Sequence, residues 1–200
     1  MSILRKFVAV IGLLCLMGAV PGVAHAAGAF PDAVQLGGKT LVMNGSGTRF
    51  RAVFRVYDIA LYLEKKTQDP KQVMSAPGPK QIRFVALRDI PADQFGLSLI
   101  SGMRRNVPPE QASEVIRYMN DVIAVFSTEQ KIAAGQNFRV DHVPGDGTRM
   151  FLDGVQKGPT VTHPYFAAAL LSIWMGNDSI DPQLKDSLLD IQRKEVKHMN

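Results

Sequence analysis

Across residues 108–126 the apolar residues Ala112, Val115, Ile116, Met119, Val122, Ile123 and Phe126 recur at helical spacing. Glu110, Glu114, Arg117, Asn120 and Asp121 lie off that stripe, and Pro108 and Pro109 suit a first helical turn. A helix with one long apolar face must lay it on something, and the flanking segments supply the partner. Residues 40–44, 57–63 and 82–87 are β-rich apolar runs. Residues 49–56 alternate, with Phe50, Ala52, Phe54 and Val56 on one face and Arg49, Arg51, Val53 and Arg55 on the other, which predicts one continuous strand. Past the helix, Phe138, Val140 and His142 alternate with Arg139, Asp141 and Val143. Pro144-Gly145-Asp146-Gly147 then turns into 148–152, and Asp153-Gly154 turns into 155–157.

A second helix is predicted over 91–105, where Phe95, Leu99 and Met103 share a face. A third runs from a Thr162 cap through Trp174, with Gly176 past its end, and Asp181-Pro182 opens a short last one. Strands, helices, strands and helices in blocks predict an α+β fold, with helices packed on an antiparallel sheet. Gly37-Gly38, Asn44-Gly45-Ser46-Gly47 and Pro77-Gly78-Pro79 read as turns inside one domain rather than as linkers.

The first residues have a different character. Arg5 and Lys6 precede an apolar run over 7–20, Pro21 and Gly22 break it, and Ala24-His25-Ala26 is a small-x-small cleavage site. The run is short for a membrane span, so residues 1–26 are expected to be a signal peptide and 27–200 the mature domain, periplasmic or secreted. Cleavage leaves 174 of the 200 residues with a net charge of +3, too little to suggest nucleic acid. It also removes Cys15, the single cysteine, and with it any disulfide, catalytic thiol or thiolate metal site. No second apolar run reaches membrane length, so an integral membrane protein is not expected.

Catalytic and metal motifs fare poorly. Ala33-Val34-Gln35-Leu36-Gly37-Gly38-Lys39-Thr40 matches a loosened nucleotide-loop pattern, but it feeds a strand where the chemistry needs a helix N-terminus, and a hairpin turn is the better reading. His142, His163 and His198 are far apart with no His-x-x-x-His pair, so no metal or cofactor is expected, and His142 reads as a packing residue. Asn44-Gly45-Ser46-Gly47 is not a nucleophile elbow. The arginine face of 49–56 has two readings. It is a solvated sheet face, or one guanidinium meets a carboxylate or phenolate in a pocket with the Tyr57 hydroxyl beside it.

Gly47-Thr48-Arg49, followed by Phe54-Arg55-Val56-Tyr57-Asp58-Ile59-Ala60-Leu61-Tyr62-Leu63-Glu64, resembles two consecutive strands of the chalcone isomerase-like family. Residues 82–102 resemble the strand and helix that follow, and 168–189, with Ile173-Trp174-Met175-Gly176 and Ser179-Ile180-Asp181-Pro182, resemble its closing helices. The likeness spans most of 30–190 and is greatest to the bacterial exported branch.

The resemblance implies an open-faced β-sandwich, a large antiparallel sheet with a layer of helices on one face and a ligand cleft between. Plant members close a chalcone to a flavanone there, and non-catalytic members hold a fatty acid with an arginine on its carboxylate. Arg49 matches the family arginine and Tyr57 falls on a family threonine. The family tyrosine falls on Phe95, the asparagine near Gly102, the lysine near Ala86 and a second threonine on Ile173. Phenylalanine and glycine cannot position a phenolate and its water, so no catalytic residue is assigned. The expected function is binding of a small apolar or amphipathic anion such as a fatty acid. Arg49 anchors its charged end, Tyr57 assists, and Phe95, Leu99 and Ile173 form apolar walls. Arg51 has no counterpart in the motif. The alternatives are an isomerase (intramolecular lyase) acting on a phenolic substrate and a periplasmic accessory protein whose helical face binds an unspecified protein partner.

Overall fold

The computed structural model describes residues 30–127 and 129–192, so the expected signal segment and His198 lie outside the described residues. In the long central helix the side chains of Val115, Ile116, Met119 and Ile123 also lie outside them.

Among the described residues the chain forms β1 (Ala33–Leu36), β2 (Lys39–Arg51), β3 (Phe54–Leu63), α1 (Pro70–Ser75), β4 (Lys80–Ala86), β5 (Ile90–Pro91), α2 (Ala92–Asn106), α3 (Pro109–Ser127), β6 (Lys131–Ile132), β7 (Asn137–Val143), β8 (Gly147–Leu152), β9 (Val155–Val161), α4 (Phe166–Met175) and α5 (Pro182–Leu188). Seven strands make one antiparallel sheet in the order β1-β2-β3-β4-β7-β8-β9, and β5 pairs with β6 apart from it. Alternate residues of the sheet, Ile59, Leu61, Ile82, Phe84, Phe138, Val140 and Met150 among them, pack with Phe95, Val122, Phe126, Leu170 and Trp174 of the helices in one core. The opposite face carries a smaller cluster, Val34, Leu41, Ala60 and Tyr62, near the β1 edge. Farther along that face Gln81 Nε2 donates to Asp141 at 2.6 Å, and the Arg139 guanidinium lies over the Phe151 ring. A large sheet with helices on one face is the α+β architecture expected of the sequence.

Three local expectations need correction, and one helix was not foreseen. Residues 49–56 are not one strand but the tip of the β2–β3 hairpin, with Arg51 opposite Phe54. Alternation continues unbroken through the tip, and the turn is made by Ala52 at φ 53, a left-handed conformation taken without glycine. Residues 44–47 are not a turn. They lie inside β2, where a bulge at Asn44 shifts the register between Met43 and Gly45. The glycines serve close approach. A Cβ on Gly45 would stand 2.3 Å from the Ser187 carbonyl oxygen, because α5 crosses β2 there. Asn44, buried, donates to the Leu188 carbonyl at 2.8 Å and accepts from the Thr67 amide at 2.8 Å, tying the bulge to α5 and to the loop after β3.

The third helix begins at Phe166 rather than after Thr162, with Tyr165 at its N-cap and the Tyr165 amide donating to His163 Nδ1 at 3.3 Å. Helix α1 was not anticipated, although Asp69-Pro70 opens it as Asp181-Pro182 opens α5. Gly37 and Gly38, both at positive φ, close the β1–β2 hairpin, so the nucleotide-loop look-alike is a strand turn.

Candidate functional site

The β2–β3 hairpin sets Arg49 directly opposite Tyr57. Beyond that pair the register shifts, leaving Val56 as the extra residue of a second bulge. Tyr57 faces the core. Its ring stands edge-on to Phe84 and Phe95, with centroids 5.3 and 6.0 Å away. Only 5% of Tyr57 is exposed, and its hydroxyl accepts a hydrogen bond from Trp174 Nε1 at 3.3 Å. Burial pushes its pKa up to about 12, and the Trp174 bond and the nearby Arg49 charge offset only part of that rise. The phenol therefore stays protonated at neutral pH and cannot serve there as a ready base.

Arg49 is not free. Its Nη1 donates to Asp181 Oδ2 at 3.0 Å and also to the Phe50 carbonyl oxygen. The pair is partly buried, with side-chain exposures of 22% and 16%. Asp181 Oδ1 meanwhile accepts from the Gln183 and Leu184 amides at the start of α5. One carboxylate thus caps a helix and orients the guanidinium through Nη1, and no bond from its Nε or Nη2 is seen among the described residues.

Arg49, Tyr57, Phe95, Leu99 and Ile173, the five residues singled out from sequence, line one cavity of about 120 Å³. Val56, Ile90 and Ile180 extend its apolar lining, and Gln94 and Ser98 add polar groups from α2. Arg51 lines it too, although it has no counterpart in the sequence motif. A second cavity of about 410 Å³, bounded by Phe54, Arg88 and Pro91, adjoins it and shares Arg51, Val56, Ile90 and Gln94. The first volume is below the roughly 300–1,000 Å³ of typical small-molecule pockets, and the second lies within that range. The positions expected to have lost family polar groups are filled by packing. A Cβ on Gly102 would stand 2.9 Å from Ile173 Cγ2, which leaves no room for a longer side chain between α2 and α4.

Two other cavities lie at the opposite end of the sheet. One of about 600 Å³ is walled by residues 63–67 and the segment between α1 and β4. The other, of about 480 Å³, holds Lys80 and His142. Lys80 Nζ donates to the Ala76 and Gly78 carbonyls, so that lysine ties down its own turn. Burial lowers its pKa. His142 Nδ1 lies 3.0 Å from Thr148 Oγ1, and burial, then the Lys80 charge, lower its pKa. His142 is thus half-buried and packed, as its place on an alternating strand suggested.

Sequence reasoning missed Asp181 as the Arg49 partner, because its N-cap signature explains it fully without the pairing. It passed over Arg51, which alternation sets on the Arg49 face, because that residue has no counterpart in the family motif.

The family model described as chalcone isomerase-like matches residues 23–190. No curated protein sequence matches the chain. Among solved structures, the chain is similar to the crystal structure of an Arabidopsis thaliana fatty-acid binding protein, with a TM-score of 0.63 and 15% identity over 80% of this chain and 91% of that one.

Proposed function

We propose that this chain, which belongs to the chalcone isomerase-like family, binds a small anionic amphiphile such as a fatty acid and does not turn it over. One observation carries the reading: two arginines, Arg49 and Arg51, stand at a cavity whose other walls are mostly apolar. A guanidinium takes a carboxylate through two parallel hydrogen bonds, and apolar walls take the chain. The acid's head group lies between Arg49 and Arg51. Its first carbons enter the 120 Å³ cavity against Phe95, Leu99 and Ile173, or its chain runs into the adjoining 410 Å³ cavity past Val56 and Ile90. The similar Arabidopsis protein is named for fatty-acid binding, which agrees with this reading.

The reading of no turnover rests on two features of the same lining: Tyr57 is held protonated and is no ready base, and Phe95 and Ile173, where the resemblance places a tyrosine and a threonine, offer neither donor nor acceptor. The protein belongs to the bacterial exported branch and works in the periplasm or outside the cell, on the strength of Arg5-Lys6, the apolar run over 7–20 and Ala24-His25-Ala26.

Native mass spectrometry of protein purified from its own compartment, with extraction of co-purifying lipid, tests the reading together with a chalcone cyclisation assay followed at the chalcone absorbance band. A bound acid and no turnover above buffer are expected, with the mature chain starting at Ala27. Stereoselective turnover that survives repurification would instead establish an isomerase.

A further inference from the structure

The six residues 50–55 at the β2–β3 tip are all exposed. Three of them are large and apolar: Phe50 is 45% exposed, Phe54 58% and Val53, at the turn, 84%. Both rungs of the ladder nearest the turn pair a phenylalanine with an arginine, Phe50 with Arg55 and Arg51 with Phe54. Facing residues of a rung point to the same side and successive rungs to opposite sides, so each side of the ribbon carries one phenylalanine and one arginine. Such a ribbon is not amphipathic across its faces. Its wholly apolar part is the Ala52-Val53 turn, and behind it each rung carries one phenyl ring and one guanidinium. Arg88 adds a further cation, its guanidinium 5.2 Å from the centre of the Phe54 ring.

We propose that this tip is a membrane-docking finger, which enters the interfacial region of an anionic lipid surface end-on. Val53 enters the acyl boundary and the two phenyl rings lie at it, while the long side chains of Arg51, Arg88 and Arg55, the last also 3.6 Å from Asp58, reach back to anionic head groups. Aromatic rings and arginines both suit that layer, the rings for their apolar area and the arginines because an apolar stem carries a charged end. The charge sign selects the partner: basic groups beside exposed apolar residues fit anionic lipid. The tip also borders the ligand route, since Ala52, Phe54 and Arg88 line the 410 Å³ cavity that adjoins the Arg49 site. Docking there brings an amphiphile's source to the mouth of its binding site, a purpose that rests on the ligand reading above.

The test is sedimentation of the mature chain with vesicles of phosphatidylcholine alone or with about one third phosphatidylglycerol. Wild type sediments with the anionic vesicles, and sedimentation falls as salt shortens the electrostatic range. The double variant Phe50→Ser/Val53→Ser lowers the partition at least tenfold, and Arg55→Gln lowers it about fivefold on anionic vesicles only. Both retain the wild-type circular dichroism spectrum and the wild-type affinity for dodecanoate in vesicle-free solution. Failure of the wild type to sediment with either vesicle, or equal sedimentation of wild type and variants, overturns the proposal and leaves the exposed tip to a protein partner. Vesicle binding without dodecanoate binding would remove the ligand reading and leave the docking surface standing. Dodecanoate binding without vesicle binding would do the reverse.

Discussion

Asp181 and Arg49, 132 residues apart in sequence, meet at 3.0 Å and lock the start of α5 to the β2–β3 hairpin. The carboxylate divides its two oxygens between helix and guanidinium, so Arg49 is oriented by the start of α5. It also offsets part of the positive charge that a ligand carboxylate meets.

Asparagine caps helices as well as aspartate does, so Asp181→Asn removes the charge and keeps the cap. Urea unfolding is expected to show a loss of about 1 kcal/mol or less, as for a partly exposed ion pair. Titration with dodecanoate is expected to show affinity rising severalfold. Weaker binding would mean that Asp181 matters more as an orienting partner than as a competing charge. Asp181→Ala loses the cap too, at a further cost of about 1 kcal/mol.

Tyr57 sets an alkaline limit. In the unfolded chain a tyrosine ionises near pH 10, whereas in the folded protein Tyr57 keeps its proton to about 12. Between those values the folded state holds the extra proton, so stability is full below pH 10 and falls as pH rises through that window. The slope from this group is about 1.4 kcal/mol per pH unit. Burial also raises Tyr62 and Tyr165, which act in the same direction. Denaturant curves at pH 8 and pH 11 measure the effect. Tyr57→Phe should reduce it while costing about 1–3 kcal/mol at pH 8, because Trp174 Nε1 is left without its partner.

The crossing of α5 over β2 depends on Gly45. A methyl group there meets backbone oxygen, which cannot swing away as a side-chain end can. Gly45→Ala is expected to destabilise by about 3 kcal/mol, near the upper end for overpacking. The exposed neighbour Ser46→Ala should stay within about 0.5 kcal/mol. Equal effects in thermal unfolding would show that α5 yields without cost.

Much of this was legible because periodicity reports burial. The strands from 57–63 to 148–152 and the helices over 91–105 and 108–126 all stand within a few residues of their expected bounds. Phe95, Leu99 and Ile173 lie with Arg49 and Tyr57 around one cavity. What failed were places where local chemistry hides tertiary geometry. Alternation continued through a hairpin turned by Ala52, and Asn44-Gly45-Ser46-Gly47 resembled a turn although its glycines make room for a helix. The short α1 has an N-cap signature in Asp69-Pro70 but too few residues for a visible stripe. The Arg49–Asp181 pair depends on a crossing that no local pattern encodes.

Calorimetric titration of dodecanoate and methyl dodecanoate into wild type, Arg49→Ala, Arg51→Ala and Arg55→Ala tests the central claim most directly. A charge-assisted bond to carboxylate contributes about 1.5–3 kcal/mol, so Arg49→Ala should weaken the acid roughly 10- to 150-fold and leave the neutral ester nearly unchanged. Arg51→Ala should also weaken the acid, because its side chain lines the same cavity, whereas Arg55, across the ribbon and paired with Asp58 at 3.6 Å, should have no effect. Absence of acid binding to the wild type, or equal small losses in all three variants, would contradict the account.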